Sequence, residues 1–236
     1  MIRVEHAGSV SRLTLDRPDA RNALTPEMLD ALARAASEMP HETRAVILRA
    51  EGPVFCSGFD LNLCRDDPQG STLAKLLDGL STAVTALRAQ PCPVVAVVQG
   101  AAVAGGCALL GGADIVICAA DARFGYPVTR LGISPAVSAP TLAAAVSGGS
   151  MRAMLLDPGL IDAPHARRLG LVSEILPDAA SAEARARTLG ETLAAKGPGA
   201  IVATRRLLQE LSGPTPRDSR AALDRSLGLV GGHEER

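Results

Sequence analysis

Residues 94–108 read VVAVVQGAAVAGGCA, an uninterrupted apolar run that passes into a glycine-rich turn. A short run of valines bounded by turn residues is typical of a parallel strand that is buried on both faces. Glycine lets a ligand approach the backbone closely, and a helix that begins at Gly105 points its free N–H groups and its positive dipole end at whatever lies there. The stretch predicts a buried strand and a short helix, 105–112, with a ligand-accessible turn between them.

Two further apolar runs of the same kind flank this one, at 45–50 and 115–118. Leucines at helical spacing predict a helix at about 71–89 between the first two runs, and a threonine cap followed by proline predicts another at about 26–38. Strand, helix, strand, helix, strand in this order indicates an α/β core with βαβ-type crossover connections.

The two ends of the chain have different patterns. Residues 1–15 alternate between apolar and polar side chains, which predicts two short strands joined by a turn at 7–9. After residue 178 the strand signal ends, and alanine, arginine and glutamate at helical spacing predict helices at about 180–195 and 199–212. Because this tail cannot form a core alone, we expect it to pack on the body of the chain or on a neighbouring subunit.

The composition excludes several classes of function. The chain has 236 residues, with 24 Lys and Arg against 25 Asp and Glu, so no overall field attracts nucleic acid or an anionic membrane. No apolar stretch reaches the roughly 20 residues that a bilayer requires, and the N-terminus lacks a signal-peptide layout, so we expect a cytoplasmic protein. The five cysteines lack paired C-x-x-C spacing, which favours buried packing residues over a disulfide framework or a zinc site.

Two glycine-containing loops follow predicted buried strands, at 54–61 and 100–108. Their N–H groups could converge on one oxygen atom. The alternative is that the glycines only make tight strand-to-helix turns. Neither loop has the spacing of a nucleotide-phosphate motif, so the local pattern leaves the oxygen-binding and the turn interpretations open.

Six stretches, taken in order, resemble the crotonase (enoyl-CoA hydratase/isomerase) superfamily over nearly the full length of the chain. They are LDRPDARNAL at 15–24, FCSGFDL at 55–61, PVVAVVQGAAVAGGC at 93–107, ADI at 113–115, FGYP at 124–127 with LGISP at 131–135, and ARRLGLV at 166–172. Each stretch is weak alone, but all six in the family's order and spacing are specific.

The resemblance implies a fold, an assembly and a ligand. The fold is a spiral of repeated ββα units, 1–178, followed by a C-terminal helical trimerisation region, 179–236, in a homotrimer or hexamer. The ligand is an acyl-CoA thioester of fatty acid metabolism, with coenzyme A as part of the substrate and no separate cofactor or metal. Its carbonyl oxygen would accept hydrogen bonds from the backbone N–H groups of Phe59 and Gly105, an oxyanion hole that stabilises a thioester enolate.

The same resemblance assigns further residues to binding the substrate and its coenzyme A. They are Ala23, Ser57, Gly58, Asp60, Leu61, Val103, Gly106, Tyr126, Pro127, Val128 and Ile133.

Two positions depart from the family's pattern. Hydratases of the family hold a water molecule between two glutamates, and the matching positions in this chain are Ala108 and Val128. Residues 124–142 contain no Asp or Glu, so a shift in alignment cannot restore the second carboxylate. Because a positioned acid or base supplies about 10²- to 10⁴-fold in rate, ordinary hydratase or isomerase activity is not expected.

Three functions remain open after this departure. Decarboxylation of a malonyl-type CoA ester generates the enolate by loss of carbon dioxide and needs no base. A non-catalytic relative would bind CoA esters without turnover. Weak hydratase or isomerase activity could depend on Asp60 or on a water held by Tyr126, although Asp60 sits in a strand-to-helix turn where a capping role is expected.

Overall fold

The computed structural model describes residues 1–65, 67, 69–131, 133–157, 159–212 and 216–230. The strands are β1 (Ile2–Ala7), β2 (Val10–Leu15), β3 (Ala45–Ala50), β4 (Val94–Val98), β5 (Ala101–Val103), β6 (Ile115–Ala119), β7 (Arg123–Gly125), β8 (Ile161–Asp162) and β9 (Glu174–Leu176). The helices are α1 (Pro26–Ser37), α2 (Ser71–Arg88), α3 (Gly105–Leu109), α4 (Ala139–Ala145), α5 (Gly148–Leu156), α6 (Ala163–Leu169), α7 (Ala179–Ala194), α8 (Pro198–Ser212) and α9 (Pro216–Leu227). Within the described ranges, no helix is long and apolar enough to cross a bilayer.

Six strands form one sheet in the order β1-β2-β3-β4-β6-β9, and β5, β7 and β8 form a second, smaller sheet. In the large sheet β1 runs antiparallel to β2, and the remaining pairs are parallel. Helices α1 and α2 form the crossovers from β2 to β3 and from β3 to β4. The α/β core with crossover connections is therefore confirmed.

Each turn of the chain contributes one strand to the large sheet and a second segment to a layer beside it. β4 continues through a turn at Gly100 (φ 61°) into β5, and β6 continues into β7. After β3, Cys56 forms a parallel bridge with Ala102 of β5, and after β2, Leu24 forms one with Phe59. Consecutive turns are thus stacked on one another, which produces the ββα spiral.

The central strands β3 and β4 of the large sheet are buried on both faces, and alternate residues of each strand point to opposite sides. In β3, Val46 and Leu48 belong to the core that also contains the apolar stripes of α1 and α2. Ala45 and Ile47 belong to a second core, which is closed by alanines of α7. The continuous apolar run of β3 follows from this burial on both sides.

The C-terminal helices pack on their own chain. α7 covers the second face of the large sheet. On α8, the guanidinium of the buried Arg205 is 2.8 Å from the Asp114 carboxylate and donates to the carbonyl of Arg88 at 2.7 Å. These contacts tie α8 to the end of α2 and to the start of β6. The division of the chain at residue 178 and the trimerisation role of the tail stay predictions.

The patterns predict most element bounds to within one or two residues. The predicted helix 105–112 is instead α3 followed by a 3-10 turn at Leu110–Gly112. The tail contains a third helix, α9, which the pattern did not predict because its sequence has few apolar residues. Leu223 of α9 packs against Leu73 and Leu77 of α2, so tertiary burial rather than a long apolar stripe holds it.

The cysteines are packing residues, as the sequence predicts. Cys56, Cys92, Cys107 and Cys118 are buried, and Cys64 is half-buried. Burial raises the pKa of Cys56 to about 12 and that of Cys107 to about 11, so neither thiol ionises near neutral pH. This protonation opposes a role for either cysteine as a nucleophile.

Candidate active site

The stacking of the turns brings the two glycine-containing loops side by side. Cys56 N–H donates to the carbonyl of Ala101 at 3.0 Å, and Val103 N–H donates to the carbonyl of Cys56 at 2.9 Å. A methyl group built on the α-carbon of Gly58 would lie 3.9 Å from the nitrogen of Gly105. The segment 58–59 therefore lies directly beside the start of α3.

The N–H group of Phe59 points away from the neighbouring turn. Leu24 N–H donates to the Gly58 carbonyl at 2.7 Å, and Asp60 N–H donates to the Leu24 carbonyl at 2.9 Å. Because backbone groups alternate in direction along an extended segment, the N–H of Phe59, between these two partners, faces the opposite side. In the part of the chain that the structure describes, this N–H donates to no backbone carbonyl.

The N–H group of Gly105 stands in the first position of α3, where no carbonyl of the helix can accept it, and it donates to no backbone carbonyl among the described residues. The preceding Ala104 has φ 51° and ψ −115°, a conformation that an L-residue rarely adopts. Two bonds hold it there: its N–H donates to the Gly125 carbonyl at 2.8 Å, and its carbonyl accepts from Ala108 N–H at 2.9 Å. Strain of this kind persists where the surrounding structure imposes it, and it is concentrated at functional sites.

Phe59 and Gly105 line one cavity of about 120 Å³. Of the residues that the resemblance assigned to binding, the cavity is also lined by Ser57, Gly58, Leu61, Val103, Tyr126, Pro127, Val128 and Ile133. Leu77, Leu80, Ala104, Ser134, Pro135, Val137 and Ser138 complete the described lining. The described wall is predominantly apolar.

The described wall of this cavity contains no Asp, Glu, His, Lys or Arg. Val128 stands on it, whereas Ala108 is 2% exposed and lies in the main core rather than on the described cavity wall. The side chain of Arg130 and the whole of Asp66 fall outside the described residues. An acid or base from the described wall would have to be a hydroxyl group, and burial raises the pKa of Tyr126 well above its usual value.

Three of the assigned residues do not reach the described cavity wall. Asp60 instead accepts from Asn62 N–H at 3.3 Å, which caps a 3-10 turn, and its carboxylate is 2.8 Å from the guanidinium of Arg17. The carbonyl of the buried Ala23 accepts from the same guanidinium at 3.0 Å. Gly106 is buried so closely against Cys56 that a methyl group on it would lie 2.6 Å from the Cβ of that residue. Contact of these residues with a ligand stays a prediction.

Arg17 and Asn22 stabilise the loops of the site, although the sequence alone assigned them no role. Arg17 joins the segment before α1 to Asp60, next to the candidate donor at Phe59. Asn22 is fully buried with φ 53°, and its amide donates to the carbonyls of Glu51 and Val54 at 2.8 Å each. Both residues stand in the LDRPDARNAL stretch, but only the folded chain shows what their side chains hold.

The chain is similar to known proteins over nearly its whole length. Residues 5–227 match the family model described as enoyl-CoA hydratase/isomerase. Enoyl-CoA hydratase EchA19 of Mycobacterium tuberculosis is 30% identical over 231 residues, which are 96% of this chain and 86% of that protein.

Solved structures share the fold. An enoyl-CoA hydratase/isomerase from Xanthobacter autotrophicus Py2 superposes with a TM-score of 0.87 at 28% identity, covering 99% of this chain and 89% of the other. An enoyl-CoA hydratase from Mycobacterium avium subsp. paratuberculosis K-10 has a TM-score of 0.89 at 24% identity, covering 99% and 95%, and shows the fold alone. The predicted spiral fold is confirmed.

Proposed function

We propose, from the premise that this chain belongs to the enoyl-CoA hydratase/isomerase family, that it binds an acyl-CoA thioester. In this proposal the N–H groups of Phe59 and Gly105 donate to the thioester carbonyl oxygen. The observation that carries it is that both residues line one cavity and that neither N–H group donates to a backbone carbonyl among the described residues. Coenzyme A enters as part of the substrate, and we propose no separate cofactor.

The two donors would favour any step that moves negative charge onto the thioester oxygen. When a bond at the α-carbon breaks, its electron pair passes into the carbonyl, and the oxygen becomes an enolate oxygen. Fixed donors in a cavity with little water lower the free energy of that state, by about 3 to 4 kcal/mol for each donor. The strained backbone at Ala104 supports this proposal, because it holds the Gly105 N–H in place before the substrate arrives.

Decarboxylation of a malonyl-type CoA ester is the reaction that we propose first, because the described cavity wall offers no carboxylate or imidazole. The bond between the α-carbon and the substrate carboxylate breaks, carbon dioxide leaves, and the electron pair forms the enolate. Water then supplies the proton to the α-carbon. Hydration, in contrast, needs one group to take a proton and another to give one.

A non-catalytic role in binding CoA esters is the second candidate, and the same observation favours it. A wall without acid or base can hold a thioester and leave it unchanged. We also propose the family-like assembly as a homotrimer or hexamer in the cytoplasm. The exposed Leu207 and Leu211 on α8, 53% and 73% accessible in the single chain, support such an assembly.

Three assays on the purified protein separate these candidates. Loss of the conjugated-thioester absorbance of crotonyl-CoA measures hydration, and release of carbon dioxide from malonyl- or methylmalonyl-CoA measures decarboxylation. The shift in melting temperature with butyryl-CoA measures binding. We expect binding and carbon dioxide release without hydration. Binding alone would favour the non-catalytic role, and no binding of any CoA ester would overturn the proposal.

A further inference from the structure

A second cavity, of about 280 Å³, lies behind the candidate active-site cavity. Among the described residues, Tyr126 alone lines both. Its side chain is 2% exposed, so the ring is enclosed by protein on nearly all sides. Tyr126 therefore stands where the front cavity, which is lined by Phe59 and Gly105, adjoins the rear cavity.

The hydroxyl group of Tyr126 interacts with one residue of each cavity. Its partners are Cys107, which lines the rear cavity, and Ser138, which lines the front cavity. The carbonyl of Ser138 accepts from the Thr141 hydroxyl at 3.1 Å, which connects this contact to α4.

The two cavities differ in chemistry. The described front wall is apolar around Leu77, Leu80 and Val128. The rear cavity is lined by the charged residues Arg88, Asp114 and Arg205 and also by apolar residues, among them Leu110, Leu142 and Leu171, against which an alkyl chain could pack.

We propose that Tyr126 is a specificity-determining residue that closes the acyl pocket and restricts it to short acyl groups. The inference rests on the proposed acyl-CoA site. A thioester held by Phe59 and Gly105 directs its acyl group into the front cavity, and a chain longer than a few carbons meets the Tyr126 ring. Removing the ring joins the two cavities and gives the chain room to extend.

Binding of acetyl-, butyryl- and octanoyl-CoA, measured by calorimetry, tests this proposal. The wild type should bind butyryl-CoA at least about tenfold more tightly than octanoyl-CoA. Tyr126→Ala should reduce this ratio to about threefold or less by strengthening octanoyl-CoA binding. Tyr126→Phe, which keeps the ring and loses only the hydroxyl, should keep the wild-type ratio.

Several outcomes would overturn the inference. Equal affinity of the wild type for butyryl- and octanoyl-CoA would do so, as would an unchanged ratio in a folded Tyr126→Ala protein. If Tyr126→Ala does not fold, Tyr126→Leu replaces it, and if neither folds the wild-type ratio decides alone. A wild type that binds all three esters without discrimination contradicts only this inference, whereas one that binds none contradicts the proposed function as well.

Discussion

The ring of Phe59 covers the α-carbon of Gly105. A methyl group at Gly105 would lie 3.1 Å from Cε1 of that ring and 3.2 Å from Cδ1 of Leu24. The residue that carries one candidate donor thus packs on the residue that carries the other.

Replacing Gly105 by proline, which has no N–H group, removes this candidate donor. If the N–H binds the thioester oxygen, butyryl-CoA affinity should fall about tenfold. Any enolate-forming turnover should fall about 10²- to 10³-fold. Calorimetry and carbon dioxide release measure the two effects.

Gly105→Ala is the matched control for this change. Alanine adds the first side-chain carbon that proline also adds, against the same Phe59 and Leu24 atoms, but keeps the N–H donor. It should keep most of the binding and turnover. Equal losses in both variants would mean that crowding, and not loss of the donor, causes the effect.

Replacing Ala104 by glycine should stabilise the protein and weaken its function. The φ of 51° and ψ of −115° cost an alanine about 1 to 3 kcal/mol, and glycine removes this strain. Because glycine has more conformational freedom in the unfolded chain, about 0.4 to 1 kcal/mol of the gain in stability is lost again. We expect a net gain of about 1 kcal/mol in urea unfolding. Butyryl-CoA binding should weaken, because the Gly105 N–H is then free to reorient.

Ala101→Gly provides the comparison for this prediction. Ala101 lies in β5 without a positive φ, so glycine there should lower the free energy of unfolding by about 0.5 to 1 kcal/mol. A loss of stability in both variants would show that the backbone at residue 104 carries no strain.

Replacing Asn22 by alanine should destabilise the protein by about 2 to 5 kcal/mol. The change removes two donors from buried carbonyl contacts and puts alanine at a φ of 53°. Urea unfolding measures the loss. Asn62→Ala, the same substitution at an exposed position, should change the stability by less than about 0.5 kcal/mol. Similar losses in the two variants would contradict the clamping role of Asn22.

Stability should fall as the pH rises above about 9. Burial raises the pKa of Cys56 and Cys118 to about 12 from the ordinary thiol value of 9.0. Between these values the unfolded chain releases thiol protons that the folded chain keeps, so each thiol lowers the unfolding free energy by up to about 1.4 kcal/mol per pH unit. Below pH 9 both states keep these protons, and the contribution is fully present.

Urea unfolding at intervals from pH 7 to pH 10.5 measures this dependence. Cys118→Ala removes one such thiol, so its stability should decline less steeply than that of the wild type. Identical slopes for the two proteins would mean that Cys118 does not contribute.

Sequence periodicity was sufficient to predict the strands and helices of the central α/β core, because strands that are buried on both faces have continuous apolar runs such as 45–50. It was insufficient for elements whose formation depends on tertiary contacts. α9 has a polar sequence and is held by Leu223 against α2, and strands such as β8 are only two residues long. No local pattern distinguishes such elements from loops.

The candidate site, too, could be predicted from the sequence only in part. The glycine-rich turn predicted where free backbone donors would lie, since a helix start leaves its first N–H groups without partners. The role of Asn22 depends on carbonyls some thirty residues further along the chain, at Glu51 and Val54. Likewise, nothing near Tyr126 in the sequence indicates that it stands between two cavities. Such relations exist only after the turns have stacked.

The packing of α7 on one face of the large sheet has a consequence for biosynthesis. Every strand of the large sheet precedes α7 in the chain, yet the sheet face that includes Ile47 is closed only when residues 179–194 dock on it. While the ribosome is still making this segment, that face remains open to water and to other apolar surfaces. The nascent chain therefore passes through a stage in which all strands of the sheet have been synthesised but this apolar face is uncovered, and an uncovered apolar face favours aggregation.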